Sequence, residues 1–159
     1  MYLNADDCNC VLDGNPATKT GYLYIGNYKP SDDIPYLKKH GINYVVTAMP
    51  KVCCDRPEYP KNDIKQLIAD TEDTPGCNIS VYFEKSYEFI ENALQYGNVL
   101  VHCGAGISRS TTMSLAWWIK KHGRTMDEGL AEFRKRRPIC TPNSGFMVQL
   151  REWEKKWVK

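Results

Sequence analysis

The stretch Val99-Leu100-Val101-His102-Cys103-Gly104-Ala105-Gly106-Ile107-Ser108-Arg109-Ser110 decides how the rest of this chain is read. A short apolar run predicts a buried strand, the two glycines predict a turn, and the segment after Ser108 has helical character. A strand therefore ends at a thiol, and a helix begins with an arginine at its mouth. Five residues between Cys103 and Arg109 allow successive backbone N–H groups to turn inward around one tetrahedral oxyanion, helped by the positive end of the helix. Arg109 closes the ring with a planar fork able to grip two oxygens at once. The same positive field favours the ionised, nucleophilic form of Cys103.

Working outward, the helix from Arg109 ends at His122, with Gly123 placed to terminate it. Thr125 and Glu128 form a capping box that opens a further helix, stopped at Pro138. A last helix starts near Asn143 and carries Phe146, Leu150, Trp153 and Trp157 on one core-facing stripe. Upstream of Asn98, apolar residues recur at Phe83, Tyr87, Ile90 and Leu94 in a long helix from Ser80. Strands are predicted at Gly21–Gly26, Ile42–Met49, Ile64–Ala69 and Asn98–His102, with a helix from Ser31 to His40. Pro50 to Asn62 and Asp70 to Gly76 read as loops. Residues 1–20 read as a loosely held polar arm, and 21–157 as one catalytic-type domain. This alternation predicts an α/β fold, a central mostly parallel sheet of four to five strands flanked by helices. Cys103 then lies beyond the carboxyl end of its strand, where such sheets bind ligands.

With 159 residues, the chain is long enough for one real core and too short for two domains. A net charge of +2 gives no reason to expect a nucleic-acid partner. No run approaches the ~20 apolar residues of a membrane span. The Met1-Tyr2-Leu3 start lacks the glycine that myristoylation needs, and Trp157-Val158-Lys159 is no prenylation box. A cytoplasmic location without a membrane anchor, with nuclear access open, is the expectation. Seven cysteines are many and odd in number, and a reactive thiolate requires a reducing compartment, so free thiols are expected. A zinc site from Cys8, Cys10, Cys53 and Cys54 does not fit the usual ligand spacings. One of these thiols could trap an oxidised Cys103 as a disulfide; the sequence does not say which.

His-Cys-x-x-Gly-x-x-Arg-Ser resembles the signature of the cysteine-dependent phosphatases, and this example is similar to their dual-specificity branch. The resemblance runs from Gly21 to about Trp153, including Leu23-Tyr24-Ile25-Gly26 and Pro142-Asn143-x-Gly145-Phe146. It implies a small, monomeric protein phosphatase with no cofactor and no metal. Phosphorylated protein is then the partner, taken as phosphotyrosine and phosphoserine or phosphothreonine. The amides of Gly104, Ala105, Gly106, Ile107, Ser108 and Arg109 would bind the phosphate. Cys103 would attack phosphorus to give a phosphocysteine, and Ser110 would ease departure of the thiolate in the second step.

The leaving oxygen needs a proton from a carboxylic acid on a loop over the pocket, for which Asp70, Glu72 and Asp73 are candidates. Asp73 stands 30 residues before Cys103 and five before Asn78-Ile79-Ser80. The resemblance gives the acid this offset, so the role goes to Asp73, with Asp70 as its rival. His102 should point away from the pocket and hydrogen-bond beneath the loop. Arg137, in the basic run before Asn143, is placed by the resemblance near the rim, where it would meet a second phosphate. Phosphoinositide-directed relatives carry basic residues inside the loop, and Gly-Ala-Gly-Ile-Ser has none. Alternatives are a non-protein substrate (an RNA 5′ end, a lipid or a glycan) and a phosphoprotein-binding pseudophosphatase.

Overall fold

The computed structural model describes residues 3–159. Met1 and Tyr2, on which the reading of the amino terminus as unacylated rests, lie outside the described residues. Strands β1 (Cys8–Leu12), β2 (Leu23–Gly26), β3 (Ile42–Met49), β4 (Lys65–Asp70) and β5 (Asn98–His102) form one sheet in the order β1-β2-β5-β3-β4. All neighbours pair in parallel except β1 with β2. The sheet is thus the mostly parallel one expected. The strand that ends at the thiol occupies its centre, bonded on both sides.

Alternation along β5 sends Val99 and Val101 to one face and Leu100 to the other. On the Leu100 face lie the short helices α1 (Tyr28–Ser31), α2 (Ile34–Lys39) and α3 (Glu58–Lys61). They cover a small cluster that includes Leu37, Val45 and Tyr59. The opposite face carries α4 (Phe83–Ala93), α5 (Arg109–His122), α6 (Met126–Arg134) and α7 (Ser144–Trp157). Helix α5 is buried from Ser110 through Ile119, because α4, α6 and α7 surround it against the sheet. It ends where expected, with Gly123 in the left-handed region at φ 62°.

Three readings are corrected. The described part of the expected loose arm over residues 1–20 is built into the fold: Cys8–Leu12 adds an antiparallel edge strand, and Asp7 just before it is buried. The helix expected over Ser31–His40 is present as α2 but starts three residues later, because Asp33 and not Ser31 caps it; Ser31 instead ends α1, which Asn27 caps. The stretch Pro50 to Asn62 is not all loop; it holds a 3-10 turn at Lys51–Cys53 and helix α3.

Candidate active site

Cys103 follows β5 directly and is 2% exposed. Its Sγ accepts a hydrogen bond from the N–H of Gly106 at 3.2 Å and lies 3.3 Å from Ser110 Oγ. For the loop to curl back this tightly, Gly106 takes φ 70°, in the left-handed region. A Cβ there would also meet the backbone of Gly26 and Asn27.

The loop's carbonyls explain where its amides point. Gly104 O accepts from the N–H of Tyr28 at 3.3 Å, and Ile107 O from the N–H of Thr141 at 2.8 Å. Gly106 O accepts from Arg137 Nε at 3.0 Å, and Cys103 O faces His102 Nδ1 at 3.3 Å. Every peptide bond among the described residues is trans, so a carbonyl fixed outward turns the N–H of the next residue inward. The amides of Gly104, Ala105, Ile107 and Ser108 therefore face the hollow beside the sulfur.

Helix α5 adds its first turn. The side chains of Thr125 and Asn143 cap α6 and α7, whereas Ser108 leaves its own helix uncapped. Ser108 Oγ instead accepts the N–H of Asn143 at 2.9 Å. The free N–H groups and positive end of α5 remain available to an anion. Arg109 Nη1 donates to Thr71 O at 3.2 Å, and its Nε is buried without a partner. Its fork spans from the phosphate loop to the segment that carries the candidate acid.

Asp73 is exposed on that segment, and Asn143 Nδ2 donates to its Oδ1 at 2.9 Å. Asn143 thus ties Asp73 to Ser108 and caps α7 through its own Oδ1. Gly145 lets the acid loop sit against α7, since a Cβ there would lie 2.0 Å from Pro75 O. Gln149 holds the loop's far end through Cys77 O and the N–H of Ser80. The rival Asp70 is turned elsewhere and accepts the N–H of Lys51 at 2.9 Å.

His102 is fully buried beneath the loop. Gln66 Nε2 donates to Thr47 Oγ1 at 2.7 Å and to Cys54 O at 3.1 Å. The Thr47 hydroxyl, accepting from Gln66, directs its hydrogen to His102 Nε2 at 2.8 Å. That leaves the ring hydrogen on Nδ1, facing Cys103 O. Burial pushes the imidazole pKa down to about 3, so the ring stays neutral.

Arg137 is not at the rim. It is 1% exposed and lies behind the phosphate loop, bonded to Gly106 O and to Asn9 Oδ1. A role in meeting a second phosphate on a substrate is excluded by this burial. Sequence reasoning missed Asn143 as a bridge, the Thr47–Gln66 pair and Asn9. Thr47 carried a signal, as a polar residue inside the apolar run Val45-Val46-Thr47-Ala48. Asn9 carried none.

A family model described as the dual specificity phosphatase catalytic domain matches residues 23–156. The chain belongs to that family. It is 36% identical over 134 residues to dual specificity protein phosphatase 1B of Arabidopsis thaliana, covering 84% of this chain and 78% of the relative. It is 35% identical over 136 residues to dual specificity protein phosphatase 1 of the same plant, covering 84% of this chain and 66% of that one. Its fold superimposes with a TM-score of 0.83 on the human tyrosine phosphatase-like serine/threonine/tyrosine-interacting protein. That match has 30% identity and covers 96% of this chain and 98% of the other. No helix among the described residues is long and apolar enough to cross a membrane.

Proposed function

We propose that this chain hydrolyses phosphotyrosine and phosphoserine or phosphothreonine esters of proteins by covalent catalysis at Cys103. The observation that carries this reading is the convergence of Cys103 Sγ, the Gly106 N–H and Ser110 Oγ at the floor of a ring of inward-turned amides. The thiolate sulfur attacks phosphorus, the S–P bond forms and the P–O bond to the substrate oxygen breaks. Asp73, as the acid, delivers its proton to that oxygen as it leaves. Ring amides and Arg109 stabilise the charge spread over the three equatorial oxygens. In the second step the Asp73 carboxylate takes a proton from water, whose oxygen attacks phosphorus. The S–P bond then breaks, and the Ser110 hydroxyl donates to the departing thiolate.

The loop interior offers no side-chain cation for a multiply charged headgroup, which favours phosphorylated protein over phosphoinositides. The seven cysteines are all free, which supports action in a reducing compartment such as the cytoplasm. The test is hydrolysis of a panel of phosphopeptides, RNA 5′ phosphates and phospholipids by wild type and Cys103→Ser. The expected result is wild-type turnover of both phosphotyrosine and phosphothreonine peptides, abolished in the variant. Turnover confined to RNA or lipid would reassign the substrate, and phosphopeptide binding without turnover would leave a binding module.

A further inference from the structure

Arg137 is the bulkiest of the fully buried side chains among the described residues, and the reaction as written leaves its charge unused. Its Nε donates to Gly106 O at 3.0 Å and its Nη1 to Asn9 Oδ1 at 2.6 Å, both neutral acceptors. Its Nη2 is buried without a partner. The neighbouring Arg136 pairs bidentately with Asp13, both contacts at 2.6 Å, but Arg137 makes no such ion pair among the described residues. The thiols that face it are Cys8 of β1 and Cys140. Burial pushes the first to about 11 and raises the second as well, so neither supplies an anion at neutral pH.

A buried guanidinium without a counter-charge is costly unless one arrives. An anion held in the phosphate loop, on the far side of the Gly106–Ile107 peptide that Arg137 grips, would supply one, since the buried Asp7 carboxylate is engaged by Asn27 and Lys29. Building on the phosphatase reading, we infer that Arg137, held by Asn9, is a positioning residue of the phosphate loop. It draws the Gly106 carbonyl outward, which turns the Ile107 N–H onto the phosphoryl oxygens, and its charge finds its counterpart in the anion bound on the other side. The edge strand shares in this role. Asp7 O accepts the N–H of Asn27 at 2.9 Å and Asp7 Oδ1 accepts Asn27 Nδ2 at 2.8 Å. Asn27 caps α1, whose Tyr28 N–H holds Gly104 O. The segment from Asp7 to Asn9 thus backs two of the loop's carbonyl anchors.

The experiment measures protection of Cys103 from iodoacetate by vanadate, the pH midpoint of that alkylation, and thermal melting, none of which needs turnover. Arg137→Met should weaken vanadate protection by about 10- to 100-fold, as expected for a hydrogen bond from a charged group. It should also raise the alkylation midpoint by about one pH unit. Arg137→Lys keeps the charge but not the fork, so the midpoint should stay near wild type while protection weakens. Asn9→Asp places a carboxylate on the guanidinium; melting should hold while the midpoint rises. Asn9→Ala should weaken protection by about 3- to 10-fold, as for a neutral acceptor lost.

Lowered melting with wild-type protection and midpoint would show a merely structural arginine and overturn the inference. If Arg137→Met does not fold, the two Asn9 variants decide in the same way. A wild type inert on every phosphate ester, yet with these shifts intact, would sink the phosphatase reading and leave the positioning role standing.

Discussion

Between Cys103 and Ile107, four carbonyls are tied to groups outside the loop: His102, Tyr28, Arg137 and Thr141. Between Thr71 and Asn78, by contrast, the chain is exposed at every residue from Glu72 to Gly76. Side-chain attachment of that second loop to the body comes from Arg109 at its first residue and from Asn143 and Gln149 further along. The difference follows from what each loop does. A cradle for a charge that spreads in the transition state works best when its dipoles are already fixed. An acid that serves a leaving group in one step and water in the next needs freedom to follow the chemistry, and thinly packed segments supply it.

The sharpest way to break this comparison is Asp73→Ala. The cradle should be untouched, so vanadate should still protect Cys103. Turnover of phosphotyrosine and phosphothreonine peptides should fall by about 10²- to 10⁴-fold, the usual worth of a positioned general acid. An aryl phosphate whose leaving phenol is itself acidic should lose far less. Asp70→Ala should leave both substrates within a few-fold of wild type, since Asp70 is engaged by the N–H of Lys51. Equal losses on both substrates in Asp73→Ala, or the larger loss in Asp70→Ala, would move the acid to Asp70.

A smaller effect is expected where the two loops are joined. Asn143→Ala removes the tether to Asp73 and the α7 cap together, which costs about 1 kcal/mol of stability for the cap. Asn143→Asp separates the two roles, because aspartate caps as well as asparagine but repels Asp73. Melting should then be close to wild type, while kcat on phosphopeptides should fall by about 10-fold at neutral pH, the order expected of one lost hydrogen bond. A wild-type kcat in Asn143→Asp would show that the acid loop positions itself without this bridge.

The same contrast explains what the sequence made legible. The phosphate loop, β5 and α5 are contiguous, and the apolar run, the turn glycines and Gly123 signal each boundary locally. Chemistry that depends on meeting across the fold was hidden. Asn143 reaches Asp73 over 70 residues, Thr47 reaches His102 over 55, and Asn9 reaches Arg137 over 128. The five-residue β1 carries two cysteines and an asparagine, so no clear alternation marks it, and its strand character comes from pairing with β2. Arg134 to Arg137 reads as one basic cluster, yet Arg136 stays on the surface and Arg137 turns inside. Composition is the same in both cases, and only packing distinguishes them.

The support beneath the cradle gives the last and smallest effect, visible in stability before activity. Burial holds His102 neutral, with its pKa at about 3, against about 6.5 in an unfolded chain. Between those values the unfolded state binds the extra proton, so stability falls as pH drops below about 6.5 and the loss is complete only near 3. The slope from this one group reaches up to about 1.4 kcal/mol per pH unit. Burial lowers the pKa of His40 and His122 as well, so wild type must be compared with His102→Asn, which removes the titrating ring alone. Melting temperatures between pH 7 and 4.5 should fall less steeply in His102→Asn than in wild type. The acid and base limbs of the pH–rate profile should stay where they are, because a ring neutral throughout this range contributes no proton to the reaction. Parallel melting curves for the two proteins would mean that the imidazole is charged beneath the loop, and the Thr47–Gln66 relay would then be running in the opposite sense.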